Sequence, residues 1–265
     1  MSAVGRYYDE RASVEWARLD EAWLEFAVTM AMIERFAPER AEVLDVGGGP
    51  GRYAIELARR GHTVDLVDLS AGCVAFAEQQ AAEQGVALRS ARCGDARHLE
   101  TITPGGYDVA LVLGPLYHLV ARAERERAIE AVRATLRPGG VAFFAMLSTY
   151  APAYFAMRNL DRSTASGAGL SESIGARHHV VRPDGRFFTE SIFMHPEAIA
   201  EEMAAAPLDH VTTFGAESIF AQSQDRLRAS EPAIRSRALS IAVDHCEDVA
   251  GVAGSEHIVW VGRTR

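Results

Sequence analysis

Short apolar segments alternate with longer amphipathic ones between residues 42 and 147, and this alternation constrains the fold more than any other feature. The apolar segments predict five strands, at Glu42–Val46, Val64–Val67, Val86–Arg92, Asp108–Leu113 and Val141–Leu147. Three of the intervening segments have helical spacing, and two of these stop at glycines, Gly61 and Gly85. Strands and helices that alternate at this spacing predict an α/β chain with a doubly wound, mostly parallel sheet.

After residue 147 the pattern becomes less regular. The turn Pro183-Asp184-Gly185 predicts a β-hairpin between residues 178–182 and 186–190. Two more strands are predicted at 210–214 and 257–262. We therefore expect a seven-stranded sheet with an insertion after strand 5.

The chain contains no lysine, because all 27 basic residues are arginine. A P-loop, a pyridoxal-phosphate enzyme and a protein kinase each need a lysine at their phosphates or cofactor. None of these sites can be built here in its usual form. The formal net charge of −9 argues against nucleic acid as a partner, since phosphate binding depends on a basic face.

The cysteines and the charge runs give further expectations. Cys73, Cys93 and Cys246 are odd in number and lack C-x-x-C spacing, which predicts a reducing compartment, a cytoplasmic location and no metal site. The first residues lack the apolar core of a signal peptide, and no apolar stretch approaches the length of a membrane span. The Arg and Glu residues of 121–127 are expected to form a solvated helix face.

A glycine-rich loop, Gly47-Gly48-Gly49-Pro50-Gly51, connects the first predicted strand to a helix. Glycines let the backbone approach a ligand closely, and the helix start offers free N–H groups. The dinucleotide pattern G-x-G-x-x-G would need glycine at position 52, where Arg52 stands. Asp45 precedes the loop, where its charge would repel a pyrophosphate and attract an ammonium group. Asp68 ends the second strand, where a carboxylate can accept both ribose hydroxyls.

These residues resemble the class I S-adenosylmethionine-dependent methyltransferases. Five segments carry the resemblance in order, Val43–Gly51, Asp68-Leu69-Ser70, Gly94-Asp95-Ala96, 107–119 and Leu136-Arg137-Pro138-Gly139-Gly140. The resemblance covers roughly residues 1–147. It implies that S-adenosylmethionine is the cofactor and S-adenosylhomocysteine the product. The cofactor-binding residues it implies are Asp45, Gly47, Gly49, Gly51, Asp68, Leu69, Asp95, Ala96, Leu113 and Tyr8.

The resemblance also implies a division of the chain, taken as one domain over 1–265. Apolar residues from Trp16 to Ile33 recur at helical spacing and predict one long helix, with Ser13 as a candidate cap. In similar methyltransferases the N-terminal segment covers the cofactor as a lid. We therefore expect the following segments: a helical lid at 1–40, a cofactor-binding core at 41–147, a substrate-shaping insertion at 148–195, and closing helices and strands at 196–265.

The candidate catalytic residues are Tyr117 and His118, just after the fourth strand. The resemblance places the reacting methyl group there, and a base near it would take the proton of an acceptor hydroxyl or ammonium. His195 is a further candidate base. Each of the two histidines also has a structural reading: His118 could pack beneath the following helix, and His195 could belong to a helix start.

The leading hypothesis is methyl transfer to an N or O atom of a small molecule, with no membrane partner and with a homodimer left open. Two alternatives stay open at this point. One is a nicotinamide-dependent oxidoreductase on a similar sheet, against which Arg52 and Asp45 argue. The other is a cofactor-binding protein without methyl transfer, because the binding motifs and the chemical step use different residues.

Overall fold

The strands and helices of this chain form one continuous sheet with helices on both faces. A computed structural model describes residues 3–158, 174–181 and 189–265. The strands are β1 (Glu42–Val46), β2 (Thr63–Asp68), β3 (Ser90–Cys93), β4 (Tyr107–Val112), β5 (Leu136–Ser148), β6 (His178–Val181), β7 (Ser191–Met194), β8 (Asp209–Gly215) and β9 (His257–Arg263). The helices are α1 (Ala3–Asp9), α2 (Ala12–Glu21), α3 (Trp23–Phe36), α4 (Arg52–Arg59), α5 (Ala71–Glu83), α6 (Arg122–Thr135), α7 (Ala151–Arg158), α8 (Pro196–Met203), α9 (Gln224–Arg228), α10 (Pro232–His245) and α11 (Val249–Gly254). Short 3₁₀ turns lie at Ala96–Thr101, Leu116–His118 and Ser218–Ser223.

The sheet is doubly wound and mostly parallel, as the sequence predicted. Its main strand order is β3-β2-β1-β4-β5-β9-β8. Strands β1 to β5 pair in parallel, and β9 is antiparallel to both β5 and β8. The strand order reverses between β1 and β4, so their carboxyl ends border a crevice. Doubly wound sheets bind their ligands at such a crevice.

The described residues place nine strands in the sheet, where the sequence predicted seven. The two additional strands are the hairpin β6–β7, which joins β5 through Leu147 and Ser148. Strand β5 has β9 along one edge, paired as far as Leu147, and β4 along its opposite edge, paired only as far as Phe144. The hairpin therefore fills the edge that β4 leaves open, and this pairing with β5 cannot be read from the apolar pattern of β5.

Several predicted elements differ in their bounds. The second hairpin strand is Ser191–Met194, and the predicted turn at 183–185 lies outside the described residues. The third strand is shorter than predicted, Ser90–Cys93. The long N-terminal helix is two helices, α2 and α3, which meet at Ala22 with a non-helical ψ of 42°. The apolar spacing continues through that break, so spacing alone does not reveal it.

The core lies on both faces of the sheet, because successive strand residues point to opposite sides. Val43 packs with residues of α3, α4 and α5, whereas Leu44 packs with α6 and α8. Both side chains are fully buried. In the described ranges, no helix combines the length and apolar character that crossing a bilayer would require.

Candidate functional site

The glycine loop has a backbone that requires glycine at alternate positions. Gly47, Gly49 and Gly51 have φ values of 66°, 55° and 87°, in the left-handed region that L side chains rarely adopt. A Cβ on Gly47 would lie 2.6 Å from Pro115, and one on Gly51 would lie 2.9 Å from the Ala77 Cβ. A Cβ on Gly49 would have no neighbour within 4 Å. Gly49 therefore faces open space, whereas the other two glycines allow close packing.

Asp68 connects the end of β2 to this loop. Its Oδ2 accepts a hydrogen bond from the Gly49 N–H at 2.8 Å, and its Oδ1 accepts one from the Ser70 N–H at 2.8 Å. Ser70 caps α5 by accepting from the Cys73 N–H. Burial raises the pKa of Asp68 more than these hydrogen bonds lower it, so the net shift is upward. The carboxylate is thus fixed at the cavity wall by backbone groups.

Asp45 is a buried carboxylate with an unsatisfied oxygen. Only 1% of the residue is exposed, and its Oδ2 has no hydrogen-bond partner in the described part of the chain. Burial, together with the neighbouring Asp68, raises the pKa of Asp45 to about 7. An unpaired buried carboxylate is unfavourable, and a cation at its Oδ2 would relieve that cost.

Asp95 has a partner that the sequence did not reveal. It caps the 3₁₀ turn by accepting from the Arg97 N–H at 2.9 Å, and the Arg97 guanidinium reaches both of its carboxylate oxygens. Burial alone would raise the pKa of Asp95, but the Arg97 bonds outweigh it and the pKa is lowered. Arg97 also pairs with Glu124. This wall of the crevice is therefore a network of charges and not a lone carboxylate.

Tyr8, Tyr117 and His118 form an aromatic group after β4. The His118 Nδ1 lies 2.9 Å from the carbonyl oxygen of Glu190, which can only accept. Nδ1 therefore carries the proton, and Nε2 accepts from the Tyr8 hydroxyl at 2.9 Å. Burial lowers the pKa of His118 to about 4, so the imidazole is neutral at physiological pH. The Tyr117 ring lies 4.7 Å from it, centroid to centroid.

Helix α1 brings Tyr8 to this group by docking on the start of α5. The Asp9 Oδ1 accepts from the Ser70 hydroxyl at 2.7 Å and from the Gly72 N–H at 2.9 Å. A Cβ on Gly72 would lie 2.8 Å from the Asp9 carbonyl oxygen, closer than real Cβ atoms approach. Gly72 therefore permits the close contact between the two helices.

Substitution of Gly72 by Ala tests this docking. Alanine favours helix by up to about 1 kcal/mol over glycine, so α5 is expected to persist. The clash with Asp9 is expected to weaken α1 docking by about 1–3 kcal/mol. Hydrogen exchange should show faster exchange in residues 3–9 and unchanged exchange in α5. Equal protection of residues 3–9 in both proteins would refute the role of Gly72.

A buried ionic network that the sequence did not reveal lies beside Tyr117. Arg18 donates to the Glu25 Oε2 at 2.8 Å, and the His257 Nδ1 donates to the Glu217 Oε1 at 2.7 Å. Burial would lower the pKa of His257, but Glu25 and Glu217 raise it to about 9. Glu25, Glu217 and His257 have the spacing of a metal site, with ligand atoms within 4.8 Å of one another. Since these atoms already pair with each other and with Arg18, we interpret the group as an ion-pair network.

One sequence-based interpretation is wrong, and the structure decides between two readings that the sequence left open for His195. Arg125, placed on a solvated face, is only 2% exposed and bonds to Glu202, although Arg122, Glu126 and Arg127 are exposed as expected. His195 is the N-cap of α8, where it accepts from the Glu197 N–H at 3.3 Å and meets the Tyr150 hydroxyl. It does not line the cavity at the crevice between β1 and β4. No local pattern reveals the burial of Arg125, because it depends on a partner that the fold brings to it, whereas the helix start at His195 agrees with one of the two readings from the sequence.

A cavity of about 350 Å³ lies at the crevice between β1 and β4. The predicted site residues that line it are Tyr8, Asp45, Gly47, Gly49, Asp68, Leu69, Asp95, Ala96, Leu113, Tyr117 and His118. Gly51 does not line it, and its positive φ and its packing on Ala77 explain the choice of glycine there, so its contact with the cofactor stays a prediction. The lining residues that the sequence analysis did not name as site residues include Glu15, Arg18, Glu25 and Arg97.

Comparisons with known proteins identify the domain. A family model described as a methyltransferase domain matches residues 43–140. The chain is 35% identical over 138 residues to a tRNA 5-carboxymethoxyuridine methyltransferase of Escherichia coli, covering 49% of this chain and 46% of that protein. It is 33% identical over 113 residues to a ubiquinone biosynthesis O-methyltransferase of Chromobacterium violaceum, covering 43% and 47%. The chain thus matches about half the length of these curated relatives.

The fold has counterparts among solved structures. An S-adenosylmethionine-dependent methyltransferase from Clostridium acetobutylicum superposes with a TM-score of 0.57 at 16% identity, over 99% of both chains. At that identity the likeness concerns the fold alone. The family model and this fold agree with the motifs found in the sequence. Residues 43–140 therefore match a methyltransferase domain, and the whole chain has a fold similar to that of a solved S-adenosylmethionine-dependent methyltransferase.

Proposed function

We propose that this chain transfers a methyl group from S-adenosylmethionine to an N or O atom of a small-molecule acceptor. The observation that carries the proposal is the single cavity that joins the glycine loop and Asp45 to His118. A group held at the loop and an acceptor held at His118 would share one cavity. Alignment of the two reacting groups is a main contribution that a protein makes to a displacement reaction.

The residues present fit the cofactor. The unpaired Oδ2 of buried Asp45 offers an ammonium group a partner, and Gly49 leaves open space beside the loop. Asp68, Leu69, Asp95 and Ala96 would hold the ribose and the adenine. When bound, S-adenosylmethionine supplies a methyl group on a positively charged sulfur. In this proposal residues 1–40 form the lid, 41–147 hold the cofactor, 148–195 shape the acceptor side and 196–265 complete the sheet.

His118 and Tyr8 would manage the acceptor and its proton. The Nε2 lone pair of His118 is directed at the Tyr8 hydroxyl. An acceptor hydroxyl or amine that takes the place of this hydroxyl would donate to Nε2 and pass its proton there as it is methylated. The carbonyl oxygen of Glu190 keeps the Nδ1 proton and therefore the tautomer that this role needs. Tyr117 packs against the ring and helps to exclude water.

The charges of the cavity favour a small molecule over a polyanion. Its acidic lining residues are Glu15, Glu25, Asp45, Asp68, Asp95, Glu124 and Glu190, and its arginines are Arg18, Arg52 and Arg97. Each of these arginines is already paired with a carboxylate, of Glu25, Asp20 and Asp95 respectively. A phosphate backbone needs unpaired cations, which this wall does not offer in the described residues.

A tRNA acceptor is the second candidate, because a relative that is 35% identical over 138 residues is a tRNA methyltransferase. Incubation with S-adenosylmethionine labelled in its methyl group, together with either total tRNA or a metabolite extract, separates the two. We expect label in the metabolite fraction. Label in tRNA alone would replace the small-molecule proposal, and label in neither would favour a cofactor-binding protein without methyl transfer.

The raised pKa of Asp45 predicts a pH dependence of cofactor binding. A bound ammonium group favours the carboxylate, so binding displaces the Asp45 proton whenever the pH is below about 7. S-adenosylhomocysteine affinity is expected to rise with pH, approaching tenfold per unit below about pH 7, and to level off above it. The free energy of unfolding of the unliganded chain should fall as the pH rises from 3.8 to about 7. Folding raises the pKa of Asp45, so the folded state binds this proton more tightly than the unfolded state does.

Calorimetric titrations of the wild type and Asp45→Asn across this pH range check the prediction. Asparagine keeps the size of the side chain and removes its charge. The variant should bind S-adenosylhomocysteine more weakly and without the rise near pH 7. If the variant keeps the same pH dependence as the wild type, another group is responsible and Asp45 does not contact the ammonium.

A further inference from the structure

We propose that Arg125 is a positioning residue for His118, because it joins the backbone just after His118 to helix α8, which follows the segment that contacts the imidazole. The inference rests on the proposed function, in which His118 meets the acceptor. Arg125 lies in the first half of α6 and does not line the cavity. Its side chain is 2% exposed, and that of its partner Glu202 is 5% exposed. Charged side chains usually lie at the surface, where water solvates them, so an ion pair buried to this extent calls for a specific explanation.

Arg125 uses its guanidinium to hold two separate segments. Its Nε and Nη2 donate to the two carboxylate oxygens of Glu202, at 2.6 and 2.7 Å. Its Nη1 donates to the carbonyl oxygens of Leu119 and Val120, at 2.7 and 2.8 Å. Such a fork of charge-assisted bonds fixes direction as well as distance, which a lysine could not do.

Both of these segments lead to His118. Leu119 and Val120 directly follow the 3₁₀ turn Leu116–His118. Glu202 lies on α8, which follows β7 and is preceded in the chain by Glu190, the residue whose carbonyl oxygen accepts from the His118 Nδ1. One side chain therefore ties the backbone that follows the imidazole to the helix that follows β7, and β7 directly follows the residue that sets the tautomer.

The energetics of buried ion pairs favour a geometric role. The desolvation of two charges largely cancels their attraction, and well-packed apolar residues in their place are often as stable. The Arg122–Glu126 pair on the same helix has side chains 57% and 53% exposed, and such pairs contribute little. The stability of the fold thus does not require this ion pair. Its geometry instead serves to place His118.

The test uses the double variant Arg125→Met, Glu202→Met, which removes both charges while keeping side-chain length. Replacing Arg125 alone would leave Glu202 buried and uncompensated and could unfold the chain. Arg125→Lys is the conservative variant, and Arg122→Met with Glu126→Met is the matched control. Thermal unfolding checks that each protein is folded.

The readout is the ¹H–¹⁵N correlation spectrum of the imidazole nitrogens, with the His118 signal assigned by its loss in His118→Asn. In the wild type we expect the Nδ1–H tautomer. In the double variant the Nε2–H form should rise by about fivefold, the population change for the loss of one hydrogen bond. Arg125→Lys should lie between the two, and the control should match the wild type.

An unchanged His118 signal in a folded double variant would overturn the proposal. If that variant does not fold, a wild-type signal in Arg125→Lys would overturn it as well. The spectrum requires no acceptor, so it remains informative if methyl transfer fails. Titration with S-adenosylhomocysteine separately tests the proposed function, since Arg125 lies outside the cavity and its variants are expected to keep that affinity within about threefold.

Discussion

Gly49→Arg is expected to abolish binding of S-adenosylhomocysteine while leaving the chain folded. A Cβ at Gly49 meets nothing within 4 Å, so the new side chain enters the cavity and does not disturb the core. The added guanidinium would lie near the acidic pair Asp45 and Asp68 and take the place of the cofactor's positive charge. The φ of 55° costs an L residue roughly 1–2 kcal/mol, which a folded domain tolerates. Isothermal titration calorimetry should show a loss of affinity of at least about 100-fold, roughly the effect of several lost polar contacts.

Gly85→Arg is the matched control. Gly85 has a similar φ of 64°, no neighbour within 4 Å of a Cβ, and an exposed position after α5. It therefore carries the same backbone strain and the same added charge far from the cavity. Its affinity should equal that of the wild type. Equal affinities for all three proteins would show that the glycine loop does not bind the cofactor.

His118→Asn is expected to lower turnover by about 10²–10⁴-fold, the usual range for a lost acid–base group, with little change in cofactor affinity. The Asn side chain keeps an N–H that can donate to the Glu190 carbonyl oxygen, as His118 Nδ1 does. It cannot place an acceptor at the position of Nε2. Initial rates with the acceptor found by methyl labelling, compared with calorimetric binding of S-adenosylhomocysteine, separate the two effects.

His195→Asn provides the control for this substitution. His195 also contacts a tyrosine hydroxyl, that of Tyr150 at 3.1 Å, but it caps α8 and lies outside the cavity wall. Asparagine is a good N-cap, so α8 should persist. Turnover of His195→Asn should match the wild type. Full turnover in His118→Asn would return His118 to a packing role.

The parts of the site that are close in sequence could be predicted, because the chemistry there depends on the local backbone. Asp45, the glycine loop and Asp68 lie at the carboxyl ends of two consecutive strands, and parallel strands bring such ends to one edge. The doubly wound sheet follows from the same alternation. The positive φ values at Gly47, Gly49 and Gly51 agree with the choice of glycine at those positions.

The parts that depend on distant pairing could not be predicted. Arg125 lies in a charged run that has the appearance of a solvated face, and its partner Glu202 is 77 residues away. Likewise, the tautomer of His118 depends on Glu190, 72 residues away, and His257 pairs with Glu217 across 40 residues. No local spacing marks these pairs, because the fold brings them together after the elements have formed.

The central claim is that the crevice between β1 and β4 binds S-adenosylmethionine and its product. The most direct measurement is a calorimetric titration of the purified chain with S-adenosylhomocysteine, repeated with NADH. Because Asp45 and the glycine loop suit an ammonium group and not a pyrophosphate, we predict one bound S-adenosylhomocysteine per chain and no heat of binding with NADH. Binding of NADH, or no binding of S-adenosylhomocysteine, would contradict the account.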